Sequence, residues 1–430
     1  MAATERSNRS KLFVPEPPFR PGDTPSYDHI EVPVAHTPPR PDPLCDAEDT
    51  EEHATRLIRV LRFNDAAAGP WVPTPECGGD LTPERMREGL ASMMRVRALD
   101  RRMFSLQRQG KLSFYVKSTG EEAVAVAHAM ALRDSDMTFP TYRQQGILIA
   151  RGCPLFEIVC QLLSNKGDAL QGKSLPVLYS FRNYGFFSLS GNLGTQLIQG
   201  VGWAMAAAYS GDDEIASVFT GEGATAEGDF HYALNFASTY RAPVIINVVN
   251  NQWAISSFQG IALGAGETFA AKGTGYGLAT LRVDGNDFLA VYAASKWAAE
   301  RARAGGGATV IEHYTYRSEG HSTSDDPTQY RPEDEPEVWP FGDPIKRLRD
   351  HLYHIGEWDE ARDDALRAEL SAEVKDAYKR AQALGSLATQ TNIPGETMFE
   401  QVYADMPPHL VEQREMFLEE RDEAEMEGRE

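Results

Sequence analysis

The chain has 430 residues, with 42 basic and 63 acidic side chains and a formal net charge of −21. Hydrophobic residues make up 42% and charged ones 24%, the composition of a soluble globular enzyme with ample material for a core. So acidic a chain is repelled by nucleic acids and anionic membranes, which excludes both as expected partners but leaves room for a local basic phosphate pocket.

Residues 1–45 hold ten of the 26 prolines. Proline fixes φ and lacks an amide donor, so this segment forms neither a central strand nor a continuous helix. Phe13, Phe19, Tyr27, Ile30 and Val32 give it apolar surface to bury, and it reads as an extended arm packed on a partner subunit. The expected arm and linker span residues 1–79. No apolar run before the prolines begin is longer than three residues, which is no secretory pattern. No apolar run approaches the ~20 residues of a membrane span. The four cysteines (Cys45, Cys77, Cys153 and Cys160) are too scattered for a disulfide framework or a zinc ribbon. The expected setting is therefore the cytoplasm, or the mitochondrial matrix in a eukaryote.

Thr82-Pro83 reads as an N-cap followed by proline at the first helical position, and Met86, Leu90, Met93 and Met94 continue at helical spacing. Helices are predicted over Glu121–Arg133, Leu155–Ser164, Gly194–Tyr209, Gly228–Ser238 and Phe288–Ala304. Strands are predicted over Thr138–Phe139, Ile215–Thr220, Val244–Val249, Thr280–Val283 and Ala308–Tyr314. The second and third of these are near-continuous apolar runs, as in strands covered on both faces. Alternation of strands and helices predicts a doubly wound, mostly parallel α/β domain over residues 80–345. Residues 346–430 read as a helical C-terminal region ending in a charged tail. The series Gly200, Gly202, Ala204, Ala206 and Ala208 marks a helix built for close packing.

Chemistry is expected where Ile215–Thr220 runs into Gly221-Glu222-Gly223-Ala224, because ligands of doubly wound sheets bind beyond the carboxyl ends of strands. Glycines flanking a carboxylate let backbone amides approach a phosphate while the carboxylate takes a cation. The next strand ends in Asn250-Asn251-Gln252-Trp253. An amide oxygen and a main-chain carbonyl there would complete a hard-oxygen Mg²⁺ site with Glu222. Arg143, by pattern alone, reads as a surface charge.

The span Gly221–Asn251, GEGATAEGDFHYALNFASTYRAPVIINVVNN, resembles the thiamine-diphosphate motif, in which a Gly-Asp-Gly-like turn precedes an Asn-Asn pair by about 30 residues. FPTYRQQG (139–146), SGNLGTQ (190–196) and TYRSEGHSTSDDPTQYR (315–331) extend the likeness to the α subunits of 2-oxo acid dehydrogenase E1 components. KLSFYVKSTGEEA (111–123) and GHSTSDD are most similar to the branched-chain group, with pyruvate-using relatives next.

That resemblance implies a thiamine-diphosphate-binding fold. It implies cofactor contacts from Tyr142, Arg143, Gly191, Leu193, Gly221, Gly223, Ala224 and His321, the last also catalytic. It implies Mg²⁺ ligation by Glu222, Asn251 and the carbonyl of Trp253, and a K⁺ loop from Ser190, Asn192, Thr195 and Gln196. Phe114 and Tyr115 would border the substrate pocket. Glu222 stands where aspartate is commoner, and Val249 where some relatives place a diphosphate-binding arginine. The implied partners are an E1 β subunit in an α2β2 heterotetramer, a lipoylated E2 acyltransferase and a branched-chain 2-oxo acid. A pyruvate or acetoin dehydrogenase α subunit, or a non-catalytic scaffold of the same fold, are the alternatives. His321-Ser322 with Asp325 offers the residue types of a hydrolase triad but lacks a Gly-x-Ser-x-Gly elbow.

Overall fold

The computed structural model describes residues 15–35, 38–264, 266–385, 394–426 and 428; Phe13 of the expected arm lies outside them. Six parallel strands form one sheet in the spatial order Leu57–Ile58, Ala279–Asp284, Thr309–Tyr314, Val244–Asn250, Ala216–Gly221 and Met137–Phe139.

Two core clusters cover its faces, and the two-residue period of a strand assigns side chains between them. Val218, Ile246, Val248 and Val310 pack against the Thr195–Ser210 and Gly228–Thr239 helices. Phe219, Ile245, Val249 and Ile311 face the larger cluster, which includes the Pro83–Arg108, Glu122–Ala131 and Phe288–Arg303 helices. Burial on both sides explains why the central strands read as unbroken apolar runs.

The predicted elements form with their ends moved by one or two residues. The Thr82 side chain accepts a hydrogen bond from the Arg85 amide at 3.4 Å, as its N-cap position requires. Gly200 explains half of the small-residue series: a Cβ there would stand 2.1 Å from Cγ1 of Val218, so only glycine lets this helix sit on the sheet. Gly202 has open space around it instead.

The N-terminal segment departs from expectation in one respect. Leu57–Ile58, inside the expected arm and linker, pairs with Arg282 and Val283 as an edge strand of the main sheet. A two-residue strand carries no readable period, so its sequence gave no warning. The proline-rich arm lies along its own chain. Carbonyls of Pro38, Pro41 and Pro43 accept hydrogen bonds from Trp71 Nε1, Trp297 Nε1 and Arg301 Nη1 at 3.0, 2.9 and 2.8 Å. Proline keeps its carbonyl free for such bonds while contributing no N–H to bury.

The C-terminal region is helical over Pro344–His354, Glu360–Gln382 and Pro408–Met426. All four cysteines are free thiols, with Cys153 and Cys160 buried. Among the described residues no helix is long and apolar enough to cross a membrane.

Candidate active site

Four strands deliver the candidate residues to one end of the sheet. Tyr142 and Arg143 follow the Met137–Phe139 strand, and Glu222 follows Ala216–Gly221. Asn251 follows Val244–Asn250, and His321 lies in the loop after Thr309–Tyr314. The register brings Gly221 opposite Val249, and the Glu222 amide donates to the Val249 carbonyl at 3.3 Å. The two motifs, distant in sequence, are thus neighbours because their strands pair.

They border a cavity of about 570 Å³, within the range of small-molecule and cofactor sites. Tyr142, Arg143, Gly191, Leu193, Gln196, Gly221, Glu222, Gly223, Ala224, Asn251, Trp253 and His321 all line it. Val249 lines it too, as an apolar wall. A Cβ on Gly223 would meet that of Ala254 at 2.4 Å, so glycine is what lets this turn close against the Trp253–Ala254 strand.

Glu222 is fully buried, and its Oε1 has no hydrogen-bond partner among the described residues. Burial pushes its carboxyl up to about 7, against the pull of its own backbone hydrogen bond. A buried carboxylate oxygen without a donor is a destabilised arrangement that a bound cation relieves. Beside it, Asn251 Nδ2 donates to Glu121 Oε1 at 2.8 Å and the Asn251 backbone amide to Glu222 Oε2 at 3.4 Å, while Asn251 Oδ1 accepts from the Trp253 amide at 3.2 Å. That polarity leaves Asn251 with a further oxygen lone pair to offer. Gln252 is held at φ +74°, a left-handed conformation costly for a side-chain-bearing residue. Its side-chain Nε2 donates to the carbonyls of Asn250 and Thr315, both at 3.2 Å, which fixes the turn. Oxygen ligands from one carboxylate, one amide and one carbonyl suit Mg²⁺. Among the described residues no group of three or more His, Cys, Asp or Glu converges on one point.

Arg143 is buried rather than a surface charge. Its Nη1 donates to the Lys117 carbonyl, its Nη2 to the His321 carbonyl at 3.0 Å, and its Nε stands 3.4 Å from Glu121 Oε1. The His321 amide donates to Asp325 Oδ2 at 2.6 Å, and Tyr330 donates to the same oxygen at 2.6 Å. Burial, then Arg143 and Arg317, push the imidazole down to about 3, so it is neutral at physiological pH. Its ring packs edge-on to Tyr142 at 5.6 Å.

Two contributors lacked an assigned role in the sequence. Glu121 links Arg143 to Asn251, and burial raises its carboxyl while Arg143 opposes the rise. Arg317 donates to the carbonyls of Trp253 at 3.0 Å and Ile255 at 2.9 Å, bracing the turn that carries the expected metal ligands. Glu121 was signalled by Gly120-Glu121-Glu122 opening a mostly apolar helix, a poor place for two carboxylates unless they are used.

The expected cation loop sits at the cavity edge. Thr195 Oγ1 donates to the Asn192 carbonyl at 3.2 Å, the Asn192 amide to Ser190 Oγ at 3.1 Å, and Gln196 Nε2 to the Phe219 carbonyl at 2.8 Å. Ser190, Asn192 and Thr195 do not line the main cavity. Phe114 and Tyr115, expected at the substrate pocket, do not line this cavity either. Tyr115 is fully buried because its hydroxyl donates to the buried Asp100 at 2.7 Å. His321 and Ser322 form no triad: Asp325 binds the His321 backbone, and no hydroxyl reaches the imidazole among the hydrogen bonds of the described residues.

Comparison with known proteins agrees with this geometry. Residues 91–389 match the family described as dehydrogenase E1 component, and residues 9–48 match 2-oxoisovalerate dehydrogenase E1 alpha subunit N terminal. The 2-oxoisovalerate dehydrogenase subunit alpha of Pseudomonas aeruginosa is 53% identical over 405 residues, covering 94% of this chain and 97% of the relative. The mitochondrial 2-oxoisovalerate dehydrogenase subunit alpha of Bos taurus is 39% identical over 336 residues, covering 78% and 72%. The 3-methyl-2-oxobutanoate dehydrogenase subunit alpha of Mycobacterium tuberculosis is 38% identical over 336 residues, covering 78% and 87%. The parallel sheet with its ligand cavity at the strand ends defines the class, and the chain belongs to the dehydrogenase E1 component family. Within it, the chain stands among the alpha subunits of 2-oxoisovalerate dehydrogenase.

Proposed function

We propose that this chain is the α subunit of a branched-chain 2-oxo acid dehydrogenase E1. With a β subunit it would decarboxylate 3-methyl-2-oxobutanoate and related acids and transfer the acyl group to the lipoyl arm of an E2 acyltransferase. One observation carries the reading: Arg143, Glu222, Asn251 and His321 meet on one cavity, with a Glu222 oxygen buried and unpartnered.

The residues present fit thiamine diphosphate with Mg²⁺. Arg143 presents a planar guanidinium for phosphate oxygens, and the Gly221-Glu222-Gly223-Ala224 turn brings backbone close to them. Glu222, Asn251 Oδ1 and the Trp253 carbonyl would hold Mg²⁺, and the Ser190–Gln196 loop would hold K⁺. When bound, the cofactor supplies a nucleophilic carbon and an electron sink for decarboxylation. His321 serves beside it as a neutral imidazole. Its Nδ1 faces Arg143 Nη2 at 3.3 Å and Arg317 Nη1 at 3.5 Å, so its proton sits on Nε2, available to donate toward a developing oxygen anion.

The described residues form one large parallel sheet, which supports half of a site shared with a β subunit. The relative from Pseudomonas aeruginosa and the mitochondrial relative from Bos taurus support a cytoplasmic or matrix setting. The test is turnover by the assembled α2β2 protein with 3-methyl-2-oxobutanoate against pyruvate. Preference for the branched acid, abolished by His321→Ala with cofactor affinity retained, supports the reading. Preference for pyruvate overturns the substrate assignment.

A further inference from the structure

A second cavity among the described residues is larger than the one described above. It lies between the Pro83–Arg108, Pro344–His354 and Glu360–Gln382 helices, has a volume of about 780 Å³, and shares no lining residue with the active-site cavity. Five arginines and two lysines line it against a single carboxylate, Asp343. In a chain of net charge −21 this is a local inversion of sign.

Part of that charge is neutralised. Arg97 pairs with Glu122 and Asp343, Lys346 with Asp350, and Arg349 and Arg367 with Asp363. Arg101, Arg102 and Lys375 have no ion pair among the described residues; Arg102 lies over the Tyr378 ring at 5.4 Å. Three nitrogens around the cavity, Arg97 Nη2, Arg102 Nε and Arg349 Nε, are shielded from water and have no hydrogen-bond acceptor among the described residues. Buried donors of charged groups are rarely left unmade, because each costs its full desolvation. Met94, Ile345, Leu370 and Val374 supply a buried apolar floor.

We propose that this cavity binds an organic phosphate, with its phosphate groups among Arg101, Arg102 and Lys375 and its apolar body on that floor. A phosphate carries about two negative charges, which suits the three cations of this cavity that have no counter-ion among the described residues. A monocarboxylate supplies one charge and two oxygens, too few for the set. The volume suits a nucleotide-sized molecule, and its concavity suits a small ligand better than the flat face of a protein partner.

The experiment uses the assembled α2β2 protein with its active sites already saturated with thiamine diphosphate and Mg²⁺. Calorimetric titration follows ADP and inorganic pyrophosphate as probes, with adenosine as the phosphate-free control. The expected result is saturable, salt-sensitive ADP binding at one site per α chain, with none for adenosine. Arg101→Glu and Lys375→Glu each weaken it by about tenfold or more, and turnover stays at the parent value. Ser371→Trp, which plugs the cavity without changing charge, abolishes binding as well. Absence of saturable binding by either phosphate probe overturns the proposal. So does ADP binding that survives all three substitutions, or a variant-sensitive site that takes a 2-oxo acid or an acidic peptide but no phosphate.

Discussion

Arg143 Nη2 donates to the His321 carbonyl at 3.0 Å and stands 3.3 Å from Nδ1 of the same residue. Every guanidinium nitrogen is a donor, so this contact assigns Nδ1 the acceptor role and leaves the proton on Nε2. With burial, Arg143 and Arg317 all opposing protonation, the imidazole charges only near pH 3. In the cofactor-free protein, nitrogen NMR is therefore expected to show the Nε2–H tautomer of His321 from pH 8 down to about 4.5. Titration near the ordinary histidine value of about 6.5 would contradict this.

In the proposed reading, the planar fork of Arg143 matters more than its charge. Arg143→Lys keeps a cation but cannot hold the Lys117 carbonyl, the His321 carbonyl and a phosphate together. Cofactor affinity is expected to fall by about ten- to a hundredfold, the equivalent of one or two charge-assisted hydrogen bonds. Equilibrium binding of thiamine diphosphate to the assembled protein measures it. A lysine variant that binds as tightly as the parent removes the bidentate role.

Glu222→Gln separates a stabilising role from a ligand role. The buried carboxyl, pushed up to about 7, is an unfavourable charge at pH 8 when no cation is present. Replacing it with a neutral isostere is expected to leave the Tm of the metal-free protein unchanged or higher. The rise in Tm that Mg²⁺ and cofactor confer on the parent is expected to vanish. A variant that is destabilised without metal, yet still responds to Mg²⁺, would show that Glu222 is structural.

His313, fully buried within the Thr309–Tyr314 strand, bears on acid stability. Burial pushes its imidazole from 6.5 down to about 3, with Nε2 held 2.9 Å from Asn247 Oδ1. Between those values the unfolded chain binds a proton that the native chain does not, so stability falls as pH drops below about 6.5. At pH 5 the contribution is about 2 kcal/mol. The raised carboxyl of Glu222 acts in the opposite sense, so the difference between parent and variant is the quantity to measure. The stability gap between parent and His313→Gln is expected to narrow by that amount from pH 7 to pH 5 in chemical denaturation. A gap independent of pH would show that His313 titrates normally.

The sheet was readable because its central strands are buried on both faces and interrupted by glycine at Gly221 and by amides at Asn250 and Asn251. Those interruptions mark where strands end and chemistry begins, which also exposed Glu222. Arg317 and Glu121 were harder to read, since their roles depend on the Trp253 turn and on Arg143, which only folding brings within reach. Tyr115 misled for a related reason. An aromatic next to a substrate-like motif looks like a pocket wall, yet a buried Asp100, fifteen positions earlier in the chain, captures its hydroxyl. The proline-rich arm showed its extended character but not its destination, because carbonyl acceptors leave no trace in side-chain patterning.

The most direct measurement is turnover of 3-methyl-2-oxobutanoate with thiamine diphosphate, Mg²⁺ and an artificial electron acceptor. It compares the chain alone, the β subunit alone and the two assembled. The account predicts no turnover from either chain by itself and full turnover from the assembled protein, because it assigns this chain the diphosphate half of a shared site. Equal turnover by the chain alone, or none from an assembled, cofactor-loaded tetramer, would contradict it.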